Sequence, residues 1–359
     1  MSSIDVPQAQ PVAGPSQAGR PRGSRPNWRR HLSFTNMSVI YAEIALIIIF
    51  SLWAPHTFPS WTTAKSVLNG NAIAGLIALS LVVPLSGRIF DLSVGEAMGL
   101  ANMLIAWLLV DKGWGIVPAV VITLLAGVGM GLFNALVVVK ARIDSFIGTL
   151  ATGALFATLA TVLGDQSISG PQLNGSFANI ATTSLGGIEV PFFLTLLVAI
   201  ALWYFQKYTV SGRRIFALGF NERGSELVGI RTARLKFAAL LVSGTVAGIA
   251  GILLTSSVSS GTPGIGSPYL LNAYAAAFLG ATQFGGRFNA WGTVLAVILL
   301  GTGTTGLYLV GGAAWTQSMF TGVVLLLALG ASNLERAVQA RSWIRAKARP
   351  NGSAGTPAT

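Results

Sequence analysis

Two carboxylates stand close together at the edge of an apolar run, in Gly87-Arg88-Ile89-Phe90-Asp91-Leu92-Ser93-Val94-Gly95-Glu96. An ionisable group inside a membrane-spanning helix costs roughly 2.5 kcal/mol or more, so it normally faces the bundle interior or a water path. Glu96 therefore has three readings: a proton carrier, a lining of a solute path, or a structural pair. Glu43, nearer a membrane face, favours structural pairing. Asp91 can cap a helix start and Ser93 can satisfy free amides there; contact with a solute is the competing role. Thr149 and Thr152 can each return a hydroxyl to a carbonyl one turn back, or line a polar path. Asn272 and Tyr274, with Tyr269, offer an amide and phenols suited to a neutral hydroxylated solute, although Tyr269 also fits an interfacial aromatic belt. Other chemistry is excluded. Cysteine is absent, and the two histidines, His31 and His56, are far apart and outside the apolar runs. No Gly-Lys-Ser/Thr occurs, so there is no P-loop. No catalytic residue, metal site or cofactor is expected.

The most polar internal stretch, Tyr208 to Phe237, carries six basic residues: Arg213, Arg214, Arg223, Arg231, Arg234 and Lys236. Asn221 is suited to accept a free backbone N–H of the following turn. Glu222 then sits where a helix dipole favours negative charge, and Gly229 suits a helix stop. The pattern predicts one helix of about two turns, lying across the end of a membrane bundle. A plain basic loop, held on one side by charge alone, fits the spacing equally well.

These residues need a frame. The chain has 359 residues, 52% hydrophobic and only 9% charged, against about 25% charged in an average soluble domain. Ten apolar segments are expected, at about 38–54, 68–86, 92–110, 115–138, 146–164, 189–207, 237–259, 268–282, 290–310 and 314–331. With the N-terminus in the cytoplasm, only Lys65 and Lys112 of the 23 basic residues fall outside. That asymmetry predicts an all-α, polytopic membrane protein of about ten transmembrane helices with both termini cytoplasmic. The charge of +12 then reflects topology, and no nucleic acid partner is expected. The expected organisation is a basic tail at 1–37, a transmembrane domain at 38–331 with the polar loop at 208–237, and a cytoplasmic tail at 332–359. The tail at 1–37 is rich in Pro, Gly, Ser and Arg and reads as disordered. The longest outside loop, Asp165 to Ile188, has no Lys or Arg.

Four stretches resemble, in family order, the sugar-import permeases of ABC transporters of the ribose and xylose type. They are Asp91-Leu92-Ser93-Val94-Gly95; Asn134 with Lys140 and Phe146-Ile147-Gly148-Thr149-Leu150; Ser211-Gly212-Arg213-Arg214 with Ala217-Leu218-Gly219, Asn221 and Gly229-Ile230; and Gly264 to Thr293, with Gly285-Gly286 before Gly292-Thr293. The chain departs from the family at Gly224 and Ser225, where two alanines are usual, and at Leu270 or Leu271, where an acidic residue is usual. The resemblance covers roughly 69–331. It implies the inner-membrane, multi-pass subunit of a binding-protein-dependent importer for a monosaccharide, a pentose or related sugar. It implies ABC ATPase subunits, an extracytoplasmic sugar-binding protein, and a second permease copy as a homodimer. A coupling helix would present Asn221, Glu222, Arg223, Gly224, Ser225, Glu226 and Gly229 to the ATPase. Asp91, Ser93, Glu96, Thr149, Asn272 and Tyr274 would border the substrate path, and the outside loop would help receive the binding protein. Rival readings are an ion-coupled carrier with Glu96 as proton site, a non-transporting scaffold, and the same architecture serving a branched-chain amino acid or autoinducer-like solute.

Overall fold

A computed structural model describes residues 37–283, 286–328 and 330. The expected tails, apart from Met37, lie outside the described residues, as does Gly285. Among the described residues, a helix stands at each of the ten expected segments. They are α1 (Ser38–Trp53), α2 (Trp61–Ser86, with a turn at Leu81), α3 (Val94–Val110), α4 (Ile116–Lys140), α5 (Ser145–Leu163) and α6 (Val190–Tyr208). Two helices of the polar loop follow, α7 (Val210–Phe220) and α8 (Glu222–Leu227). The remainder are α9 (Thr232–Val258), α10 (Ser267–Ala281), α11 (Ala290–Leu309) and α12 (Ala314–Ala328). Six of them (α2, α4, α5, α6, α9 and α11) are long and apolar enough to cross a bilayer, which needs about 20 residues. The other four are shorter.

The helix starts are written locally. Ser60 Oγ accepts from Thr63 N at 3.1 Å to open α2. Asp144 Oδ1 accepts from Phe146 N at 3.0 Å to open α5. Asn289 Oδ1 accepts from Gly292 N at 2.6 Å to open α11. Pro191 and Pro268 occupy first-turn positions of α6 and α10, where a missing N–H costs nothing. Two segments begin earlier than their apolar runs suggest, α2 at Trp61 and α9 at Thr232. Both extensions are polar turns continuing a helix that tertiary packing has already nucleated.

Packing centres on α9, which lies against α3 and α4. Without a hydrophobic difference between lipid tails and leucine, such contacts depend on close van der Waals approach. At the α4–α9 crossing, a Cβ on Gly244 would come within 2.4 Å of Gly131 N, so only glycine permits that spacing. The core around it holds Leu76, Ile77, Met98, Met103, Ala247 and Leu254, all buried.

The turns after α2, α4 and α6 gather at one end with α7 and α8. Arg88, Lys207 and Arg287 line one groove there, and Arg88 and Arg142 another. At the opposite end, Ser256 Oγ donates to Phe177 O at 2.7 Å, and Ile168–Ser169 pairs antiparallel with Ser260–Gly261. Asn69 holds that end too, donating to Gly187 O at 3.1 Å and accepting from Glu189 N at 3.0 Å.

Candidate coupling surface and intramembrane polar sites

Thr209 breaks the chain from α6. It is extended, and its hydroxyl accepts from Gly212 N at 3.0 Å. Helix α7 then buries Gly212, Ile215, Leu218 and Gly219 on one face. A Cβ on Gly219 would lie 2.1 Å from Ser86 O, so α7 seats directly on the backbone at the end of α2. This helix was not anticipated by the single short helix expected in the loop. Its polar face, Ser211-Arg213-Arg214, hid an apolar stripe only a few residues long.

The expected helix is α8. Asn221 Oδ1 accepts from Gly224 N at 2.9 Å, as a cap should. Gly229 closes the segment with φ +80°, a left-handed conformation that favours glycine. Ser225 is buried and donates to Asn221 O at 2.8 Å. Two further ties were not foreseen. Lys236 Nζ lies 2.6 Å from Glu222 Oε1, and Thr232 Oγ1 donates to Glu226 Oε1 at 2.8 Å. Both fasten α8 to the first turns of α9. Around α8, Phe220 is 86%, Leu227 88% and Val228 76% exposed. A groove of about 840 Å3 on one side includes Arg213, Phe216 and Val228, with the Arg287 guanidinium 5.8 Å over the Phe216 ring. A second, of about 940 Å3, includes Arg142, Arg223 and Glu226. Apolar knobs ringed by guanidiniums suit a partner surface that is apolar with an acidic rim. Asn221, Glu222, Arg223, Gly224, Ser225, Glu226 and Gly229 all come together here.

The intramembrane candidates divide into three places. Asp91, Ser93 and Thr149 are buried where the chain is non-helical between α2 and α3. Ser93 N and Ser93 Oγ both donate to Asp91 Oδ1, at 3.1 and 2.6 Å. Asn134 Nδ2 donates to Ser93 Oγ at 2.7 Å, and Thr152 Oγ1 donates to Asn134 Oδ1 at 2.6 Å. The result is one chain of donors from α5 through α4 to Asp91, and such chains polarise one another. Thr149 Oγ1 accepts from Leu92 N at 2.9 Å and donates to Ser145 O at 2.7 Å. Neither side chain caps α3 as expected: Asp91 accepts from Ser93 N, ahead of the helix, and the Ser93 hydroxyl is spent on Asp91, so no amide of α3 is bonded by either. Tyr274 of α10 and Ser243 of α9 stand beside Asp91. Asp91 Oδ2, Tyr274 Oη and Ser243 Oγ are buried without a hydrogen bond of normal geometry to one another.

Glu96 sits apart from this network, half-buried in the first turn of α3, and accepts from Ser267 Oγ at the start of α10. Glu43 Oε1 accepts from Thr302 Oγ1 at 2.7 Å, joining α1 to α11.

Asn272 lines a third place, a cleft of about 630 Å3 between α2, α10, α11 and α12. Its polar walls come from Asn71, Tyr269, Asn272, Thr304, Gln317 and Thr321, and no lining residue is charged. Ser66, Tyr308 and Gln317 place its mouth toward the end opposite α8. Sequence reasoning found Asn272 and Tyr269 but missed the rest. The available signal was Gln317 and Thr321, four residues apart on one face of an apolar helix.

A model of the branched-chain amino acid transport system / permease component family matches residues 64–329. The chain belongs to this permease family. The permease is 35% identical over 287 residues to the ribose import permease protein of Bacillus subtilis, covering 79% of this chain and 88% of that protein. It is 30% identical over 302 residues to the ribose import permease protein of Escherichia coli K12, covering 82% and 92%. The autoinducer 2 import system permease protein of Photorhabdus luminescens is 31% identical over 281 residues, covering 76% and 83%. No solved structure matches the permease. The resemblance carried by the four motifs is thereby borne out, and the permease is a multi-pass membrane protein.

Proposed function

We propose that this permease is the transmembrane subunit of a binding-protein-dependent ABC importer that moves a monosaccharide, a pentose or related sugar, across the inner membrane. It works as two copies with two ATPase subunits and an extracytoplasmic sugar-binding protein. Hydrolysis occurs on the separate ATPases. The observation that carries this reading is α8, tied by Lys236–Glu222 and Thr232–Glu226 to a helix that runs from the coupling face toward the far end. Movement of α8 is transmitted along α9 to the bundle, which alternates between outward and inward openings. The relatives named for ribose and autoinducer 2 support a sugar-like solute.

The cleft at Asn272 supports a neutral solute. Amides, hydroxyls and phenols match the hydroxyls of a sugar, whereas the charged ends of an amino acid would be desolvated there without a partner. Glu96 borders the path beside α10, and Asp91, Ser93, Thr149 and Tyr274 support it from the packed side. Asn272→Ala is expected to raise the KM for sugar uptake about tenfold, the value of one hydrogen bond to a buried neutral group, with assembly unchanged. Uptake assays in proteoliposomes across a set of pentoses, hexoses and branched-chain amino acids test the reading. Uptake of leucine but of no sugar would overturn it.

A further inference from the structure

On the flank of the coupling face, where α6 gives way to α7, lies a pocket of about 410 Å3 lined by Ser211, Arg214, Arg231, Arg234 and Leu235. It shares only Ile230 with the groove beside Phe216 and no residue with the groove at Glu226. Arg214 comes from α7, Arg231 precedes α9, and Arg234 is in the first turn of α9. All three are exposed. The ion pair among the described residues is Lys236–Glu222, so none of the three has a carboxylate partner there. Like charges gathered this closely repel, and an anion relieves that repulsion.

The position of the pocket indicates which anion. Helix α6 presents Phe193, Leu197, Ile200, Tyr204 and Tyr208 as an exposed apolar stripe. Its last turn holds Tyr204 stacked on Tyr208 at 5.4 Å, with Lys207 Nζ 5.4 Å from the Trp203 ring. Aromatic and lysine side chains at a helix end mark headgroup depth. Ser211 lies three residues past Tyr208, in the first turn of α7, so the pocket adjoins the end of the exposed stripe. Guanidinium forks bind phosphate oxygens in pairs and are more weakly hydrated than ammonium. We propose that Arg214, Arg231 and Arg234, with the Ser211 hydroxyl, bind a phosphate group, supplied by an anionic phospholipid of the bilayer surface that α8 faces. This inference rests on the membrane placement of the helices and is independent of the transported solute. A lipid held here would contact both α7 and the start of α9, the two elements that position α8.

The test uses the full permease in nanodiscs of phosphatidylcholine containing a minor fraction of phosphatidylglycerol, with retained lipid measured by mass spectrometry after detergent exchange. The wild-type chain is expected to retain phosphatidylglycerol preferentially. The variant Arg214→Ala/Arg231→Ala/Arg234→Ala is expected to lose that preference by on the order of tenfold or more, while the triple lysine variant keeps part of it. Arg214→Glu, at an exposed position, gives the same readout should the triple variant not fold. Millimolar inorganic phosphate is expected not to displace the lipid; displacement would assign the pocket to soluble phosphate and overturn the lipid source. Equal retention by wild type and triple variant would overturn the proposal. So would weakened ATPase binding with lipid retention unchanged, which would make the arginines a contact to acidic residues of the partner.

Discussion

The double variant Phe220→Asp/Leu227→Asp is expected to lose the ATPase subunit almost completely, with no loss of its own fold. These side chains are 86% and 88% exposed, so they contribute little to packing within the permease. Under the proposed reading they are the apolar anchors that the ATPase contact would bury. When such an anchor is buried at an interface, its truncation typically costs about 2 kcal/mol or more, roughly 30-fold in affinity. Aspartate adds the cost of desolvating a charge in an apolar pocket. The check is ATPase binding to the permease in nanodiscs, read beside the thermal unfolding midpoint. A lowered midpoint with unchanged binding would contradict this use of α8.

The second large effect is on stability. Asn134→Leu is expected to destabilise the bundle by about 1–3 kcal/mol, because it removes two buried hydrogen bonds at roughly 0.5–1.5 kcal/mol each. Ser93 would lose its donor from Asn134 while keeping Asp91 as acceptor, and Thr152 would keep only Thr149 O as acceptor. The segment around Asp91 has no regular backbone ladder of its own, so these side-chain bonds fix its path between α2 and α3. Replacing Asn134 by Asp keeps the acceptor for Thr152 but places a second carboxylate near Asp91, and like charges in a dry site are also unfavourable. Both variants are expected to unfold at lower temperature in detergent than wild type, leucine by several degrees. An unchanged midpoint for Asn134→Leu would show that the segment is held by packing alone.

What the sequence disclosed was mostly local. Asn221 followed by Glu222 announces a helix start, and α8 begins there with the expected cap. The ten apolar runs each hold a helix because a run of apolar residues in lipid has one inexpensive conformation. Contacts distant in sequence were not legible. Nothing near Glu43 names Thr302 as its partner, and nothing near Asn134 names Ser93. Helix α7 was missed because its buried stripe of Gly212, Ile215, Leu218 and Gly219 includes two glycines, which weaken any apolar signal. The polar cleft was read at Asn272 and Tyr269 alone, since its other walls lie on α2, α11 and α12.

The central claim is that energy reaches this permease from another polypeptide through α8 and its two ties to α9. Uptake of radiolabelled sugar into proteoliposomes containing permease, ATPase and binding protein tests it, comparing wild type with Glu222→Ala/Glu226→Ala, which removes both ties. Hydrolysis is expected to continue in the variant while sugar uptake per ATP falls severalfold. Uptake by the permease without ATPase, or full coupling in the variant, would contradict the account.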